Sequence, residues 1–210
     1  MHDPPRWLPL SHLSAALAGR EEERVREALE AARESGLPTA EIEETLLQAH
    51  LFIGFPDVLR AFFLWREMVS ASAEREPEQG ESWRDRGERL CRRIYAANYR
   101  KLRENVRTLH PDLDRWMVEG GYGRVLSRPG LPLPARELCI VSLLTAWRAP
   151  RQLHSHLRGA LNAGASPAEV ERAVEVGCGA LAEPERQEVR NLWEMVRDRA
   201  SKRTEASSVS

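Results

Sequence analysis

Three cysteines in 210 residues, at 91, 139 and 178, are too few and too far apart for a disulfide scaffold. No CxxC and no zinc-finger spacing occurs, and the pattern points to a reducing compartment. Net charge is almost lacking as well. With 31 Lys+Arg against 32 Asp+Glu the formal value is −1, which excludes a global attraction to nucleic acid or an anionic membrane. Apolar runs are all interrupted short of about 18 residues, so none reads as a membrane span. The first apolar stretch is broken by Pro9, Ser11, His12 and Ser14 and preceded by little positive charge. It reads as a folded N-terminal helix of a cytoplasmic protein rather than a signal peptide. Aromatic and β-branched residues are scarce, and no stretch alternates with period two long enough to form a strand.

What remains is rich in Ala, Leu, Glu and Arg, the composition of an all-α protein. The length allows one domain or two small fused units and suffices for a core without staples. Periodicity predicts helices near 10–18, 21–35, 39–53, 56–70, 83–107, 111–119, 134–148, 151–163, 167–180 and 184–200. Gly36 and Gly164 each follow an Ala/Leu-rich run and suit a left-handed helix end. Ser166-Pro167-Ala168-Glu169 reads as a capping box, and His110-Pro111-Asp112 as a helix start.

Sliding the chain so that Gly36 falls on Gly164 aligns 36–69 with 164–197 without a gap. Ala40/Ala168, Glu41/Glu169, Glu43/Glu171, Pro56/Pro184 and Trp65/Trp193 are then identical. Matched Pro and Trp at one offset favour an internal repeat over shared capping grammar. The expected organisation is a degenerate N-terminal repeat (1–70), a polar linker (71–86), a second domain (87–200) and a disordered tail (201–210).

The second domain carries Tyr122-Gly123-Arg124-Val125-Leu126-Ser127-Arg128-Pro129-Gly130-Leu131, then Arg136-Glu137-Leu138, His156, Gly159–Gly164 and Ala168-Glu169-Val170. In that order and spacing it resembles the carboxymuconolactone decarboxylase and alkyl hydroperoxidase D family. Phe52-Ile53-Gly54-Phe55-Pro56 is similar to a later motif of the same family. The resemblance implies a compact helical bundle, commonly trimeric or hexameric. It also implies a Glu and a His 19 residues apart, kept as Glu137 and His156. The two cysteines of the family's peroxidases fall on Ala149 and Gln152, so a peroxidase reading loses its thiols. Cys139, on a helix apolar almost all round, reads as an inert core residue.

An unperturbed imidazole titrates near 6.5, which suits a histidine at 156 to acid/base work, and Glu137 can set its tautomer. His154 and His156 point about 200° apart on a helix, so no metal site is expected from them. The activity that the resemblance implies is loss of carbon dioxide from a small carboxylated molecule without any cofactor. Arg128, or Arg151, would place the carboxylate; of the two, Arg151 reads more simply as solvent-facing. His154 is a further substrate-binding candidate. Phe52 and Phe55 of the first repeat would supply apolar wall to a composite site. The alternative is a non-catalytic ligand-binding or scaffold protein, in which Glu137 caps a helix and His156 is a satisfied core imidazole. The arginines at 92, 93, 100 and 103 share their helix with Glu88 and Glu104, a solvated face rather than a nucleic-acid site. Self-association is expected, with a trimer favoured over a dimer.

Overall fold

The computed structural model describes residues 5–70 and 81–208, with side chains through Lys202. Residues 71–80 of the expected linker lie outside the described residues. Among the described residues the chain is all-α, with no strand.

Ten α-helices follow in order: α1 (Trp7–Gly19), α2 (Glu22–Glu34), α3 (Thr39–Met68), α4 (Trp83–Tyr95), α5 (Tyr99–Leu109), α6 (Pro111–Trp116), α7 (Leu133–Ala146), α8 (Pro150–Ala163), α9 (Pro167–Cys178) and α10 (Glu185–Ser208). A π-helical stretch, Met117–Leu126, leads from α6 toward α7. The expected caps are present. Ser166 and Glu169 form a reciprocal capping box on α9, and the His110 side chain accepts from the Asp112 amide at the start of α6. Gly36 and Gly164 sit at φ +73° and +107°, ending α2 and α8 in the left-handed region.

Boundaries differ from expectation where local chemistry competes. The helices expected at 39–53 and 56–70 are one helix, α3, kinked at Gly54 (φ +82°) ahead of Pro56. The helix expected over 83–107 breaks at Ala96 (φ +46°) into α4 and α5. α4 starts at Trp83 inside the expected linker, because Ser82 caps it by accepting from the Asp85 amide. α10 runs to Ser208, past the onset of the expected disordered tail, through the helix-forming Arg, Ala, Lys and Glu of that stretch. α3 is long and apolar enough, with mean hydropathy 1.2, to pass for a membrane span. Its Glu43, Glu44 and Gln48 are buried and hydrogen-bonded within the protein, as in a packed core helix.

The offset that aligns Gly36 with Gly164 also lays α1 on α7, α2 on α8, and the two halves of α3 on α9 and α10. The left-handed Arg20 (φ +61°) meets the left-handed Arg148 (φ +56°). The ion pair Arg20–Asp57 falls on Arg148–Glu185. Leu10/Leu138, Leu29/Leu157, Ala32/Ala160 and Trp65/Trp193 are buried at matched positions. α1 packs along α7 at the centre, so the core is continuous across both units.

The segment 83–126 has no counterpart in the first unit. Its α4 lies directly on the π-helical stretch because two glycines allow it. A Cβ on Gly87 would fall 2.0 Å from the Val118 carbonyl oxygen, and one on Gly123 would fall 1.8 Å from that of Trp83. This close approach sets Tyr95 of α4 against Tyr122.

Candidate functional site

Glu137 sits in the first turns of α7 and His156 in the middle of α8, both buried. The Nδ1 of His156 lies 2.9 Å from Oε2 of Glu137. A donated Nδ1–H fixes the ring and leaves Nε2 available to the cavity. Gly159, one turn beyond His156, makes room for this pair: a Cβ there would lie 2.6 Å from the same Oε2. The other carboxylate oxygen, Oε1, is buried without a hydrogen-bond partner.

His156 opens onto a cavity of about 750 Å³. α3 contributes Leu51 and Phe52; α4 to α6 contribute Tyr95, Leu102, Val106, Leu113 and Trp116. Met117, Tyr122 and Leu126 come from the π-helical stretch, and Trp147 to Gln152 from the α7–α8 turn. Phe52 meets His156 edge-on with ring centroids 5.6 Å apart. Tyr95 and Tyr122 share a hydrogen bond between their hydroxyls at 2.7 Å. Burial pushes both phenols above the ordinary tyrosine range, so the pair stays protonated at neutral pH.

The structure thus brings together Glu137, His156 and Phe52, the last from the other helical unit. It does not bring Arg128, Phe55 or His154 into this cavity. Arg128 donates through Nε to Oε1 of Glu44 at 2.8 Å, in a cluster that also holds the buried Arg136 at 2.7 Å from Glu44 Oε2. A buried carboxylate between two arginines is a structural tie of α3 to α7, and Arg128 is engaged in it rather than in the cavity lining. Phe55 is 66 % exposed beyond the Gly54 kink, against His50. His154 faces a separate pocket of about 230 Å³ with Arg158 and Arg199, and burial, then those cations, lower its pKa. It therefore shares no metal with His156, and no group of three His, Cys, Asp or Glu among the described residues could hold one.

Sequence reading favoured a solvent-facing Arg151 and did not single out Tyr95, Tyr122, Trp116 or Trp147. Arg151 lines the cavity and is exposed there. Arg148 also lines it but is paired with Glu185. Tyr122 had a signal in the motif it belongs to. Tyr95 and Trp116 had none, because only the fold of 83–126 places them. Ala149 and Gln152 border the cavity. The three cysteines lie buried elsewhere; burial pushes Cys139 and Cys178 up to about 11 and Cys91 to about 12. None is a thiolate at neutral pH.

Residues 111–194 match the model of the carboxymuconolactone decarboxylase family. Over 71 residues, 34 % of this chain, the sequence is 31 % identical to a 4-carboxymuconolactone decarboxylase of Acinetobacter baylyi. That alignment covers 53 % of the relative, so the chain spans about half the length of the curated protein it matches. Glu137, Tyr122 and His156 lie inside the matched segment, whereas Phe52 and Tyr95 lie outside it.

Proposed function

We propose, from the carboxymuconolactone decarboxylase family segment at 111–194, that the cavity is the active site of a cofactor-independent decarboxylase with His156 as acid/base. The observation that carries this reading is the buried Glu137–His156 pair facing an aromatic-walled cavity whose mouth holds Arg151. Arg151 stands at the start of α8, where guanidinium and helix dipole both favour an anion. The substrate's carboxylate, the group to be lost, is held there at the edge of the apolar walls. A low local dielectric favours the change from a localised charge to neutral carbon dioxide.

The step balances without an added reactant. The bond from the carboxylate carbon to the substrate breaks, and its electron pair moves into a conjugated carbonyl as an enolate. Imidazolium at His156 then delivers the Nε2 proton to carbon, and solvent restores it. One hydroxyl of the Tyr95–Tyr122 pair has its proton free to donate toward the enolate oxygen. Glu137 stabilises the charged imidazole and holds its orientation.

Residues 7–68 and 135–196 are, in this reading, two copies of one unit that have specialised. The first gives Phe52 to the wall, and the second gives Glu137 and His156. A non-catalytic binding or scaffold role is the alternative, favoured by the first unit's Pro9 and Ala28 at the places equivalent to Glu137 and His156. Self-association, with a trimer favoured over a dimer, belongs to the same proposal. It is supported by Phe55, Leu59 and Phe63, which stand exposed at four-residue spacing along α3. Sedimentation at the mass of one chain would remove it.

The catalytic reading is tested by carbon dioxide release from a panel of β,γ-unsaturated and vinylogous acids. His156→Ala is expected to lower kcat by about 10²–10⁴ and Glu137→Gln by about 10–100. Release indifferent to His156→Ala, or none from an acid shown by calorimetry to bind, would leave the binding role in its place.

A further inference from the structure

The charges and walls of the cavity discriminate between kinds of acid. Two cations line it, Arg148 and Arg151. Arg148 is committed to Glu185. Arg151 is the cation with no ion-pair partner among the described residues that line the cavity, and no carboxylate shares that lining. The remaining surface is dominated by Phe52, Leu102, Trp116, Met117 and Trp147, and Trp116 is 59 % exposed at the rim. A volume of about 750 Å³ lies toward the upper end of the range for drug-sized ligands.

We propose that the ligand of this cavity is a bulky, largely apolar acid carrying a single anchoring carboxylate at Arg151, not a compact polyanion. This rests on reading the cavity as a carboxylic-acid site. A second carboxylate on a small skeleton would lie against Leu102, Trp116 or Met117 without a cation, and an unpaired buried carboxylate costs several kcal/mol. An aromatic or branched body instead buries apolar surface against the same side chains. Trp116 at the rim extends that surface outward, so length beyond the cavity is tolerated. A smaller pocket of about 210 Å³ shares Tyr95, Leu102 and Ser155 with the cavity and contains Lys101 and Arg158. It is a nearby place where a second anion would find positive charge.

Calorimetric titration of the full chain with three probes tests the assignment: 2-naphthoate, its neutral analogue 2-naphthamide, and cis,cis-muconate. Naphthoate is expected to bind at least tenfold tighter than muconate. Arg151→Gln should weaken naphthoate about tenfold and leave naphthamide unchanged, while Arg151→Lys keeps part of the anchoring. Arg151 is exposed, so an unchanged Tm is expected to accompany these variants. Tighter binding of muconate, above all binding lost on Lys101→Gln, would overturn the proposal, as would naphthoate binding insensitive to Arg151→Gln. Bulky β,γ-unsaturated or vinylogous acids that bind at Arg151 but never release carbon dioxide would count against the decarboxylase reading and leave this assignment standing.

Discussion

Between α2 and the second half of α3, the gap lined by Leu17, Val25, Ala61 and Leu64 measures about 20 Å³. At the corresponding place in the second unit, between α8 and α10, Leu144, Leu153, Leu181, Val189 and Leu192 surround about 690 Å³. In the first unit Arg26 reaches Glu67 at 2.8 Å, and Arg60 approaches Glu22 at 3.8 Å, drawing the two helices together. The matched positions in the second unit hold His154 and Met195, and Glu188 and Pro150, none of which can form those pairs. Two helix pairs at matched offsets thus enclose a closed interior in one place and an open one in the other, with different side chains between them. The main cavity belongs to neither unit alone. It forms where α3 of one unit, α8 of the other and the unmatched segment 83–126 meet.

The sharpest way to break this comparison is at the polar tie between the units. Glu44 accepts from Arg136 and Arg128 between α3 and α7, whereas the matched positions hold Arg172 and Leu8, which form no such tie. Glu44→Ala leaves Arg136, 1 % exposed, as an uncompensated buried charge, and should cost about 3–5 kcal/mol in chemical denaturation. Glu44→Leu combined with Arg136→Leu should restore most of the loss, giving that interface the apolar character of its counterpart. A single substitution costing less than about 1 kcal/mol would mean the tie is solvated.

The unmatched segment offers a second test, local where the first is global. Asp114 joins α6 to α5 through Arg103 and Arg107, accepting from Nη2 of each at 2.9 Å. Those hydrogen bonds, Arg103 first, hold its carboxyl below the ordinary range. A lowered folded pKa contributes stability that is present above the unfolded value, near 3.9, and is lost as pH falls through the folded one. Asp114→Asn should therefore destabilise by about 2 kcal/mol at pH 7 and remove that part of the acid dependence below about pH 4. Hydrogen exchange should quicken in α5 and α6 and stay unchanged in α1 and α2. Uniform quickening throughout would show that the segment is not a separate layer over the cavity.

Much of this arrangement was legible in the sequence, and the reason is local chemistry. Helix starts at Ser166 and His110 and ends at Gly36 and Gly164 depend on residues within one turn, so spacing alone reveals them. Glu137 and His156 stood out in the sequence by their separation of 19 residues, and the structure places them 2.9 Å apart. The match of α1 with α7 and of α2 with α8 was not legible. Those helices match at Leu10, Leu29 and Ala32 but differ at most other positions, buried ones such as Leu8/Arg136 and Leu17/Thr145 included. Arg128 was misplaced because its motif fixes a loop, and only the fold shows that Glu44, 84 residues away, takes its charge. Tyr95 and Trp116 were invisible for the same reason: no local pattern says that two glycines let α4 lie on a π-helical turn.

The two matched tryptophans give a smaller and more exact contrast. Trp65 donates from Nε1 to Oε1 of Glu43 at 3.1 Å, while the buried Nε1 of Trp193 has no partner. Trp65→Phe should lose a hydrogen bond to a charged group, about 1.5–3 kcal/mol beyond the change in packing. Trp193→Phe removes an unsatisfied donor along with some volume, so its net cost should be at least about 1 kcal/mol smaller. Equal melting losses in the two variants would place a partner on Trp193.

The smallest expected effect lies at the turns that the two units share. Arg20 and Arg148 both occupy the left-handed region, at φ +61° and +56°, where a side chain is strained and glycine is not. Against that relief, glycine adds conformational freedom to the unfolded chain, and each substitution removes an ion pair, Arg20–Asp57 or Arg148–Glu185. The two arginine side chains are 55 % and 64 % exposed, and exposed pairs are worth about 0–1 kcal/mol. Backbone relief of about 1 kcal/mol thus slightly outweighs the losses, and Arg20→Gly should raise Tm by a degree or two. Arg148→Gly should do the same for stability while also removing the side chain that lines both large pockets. Binding of 2-naphthoate would then change with Arg148→Gly and stay constant with Arg20→Gly. Identical binding in both variants would show that the shared turn shapes the backbone alone and not the cavity.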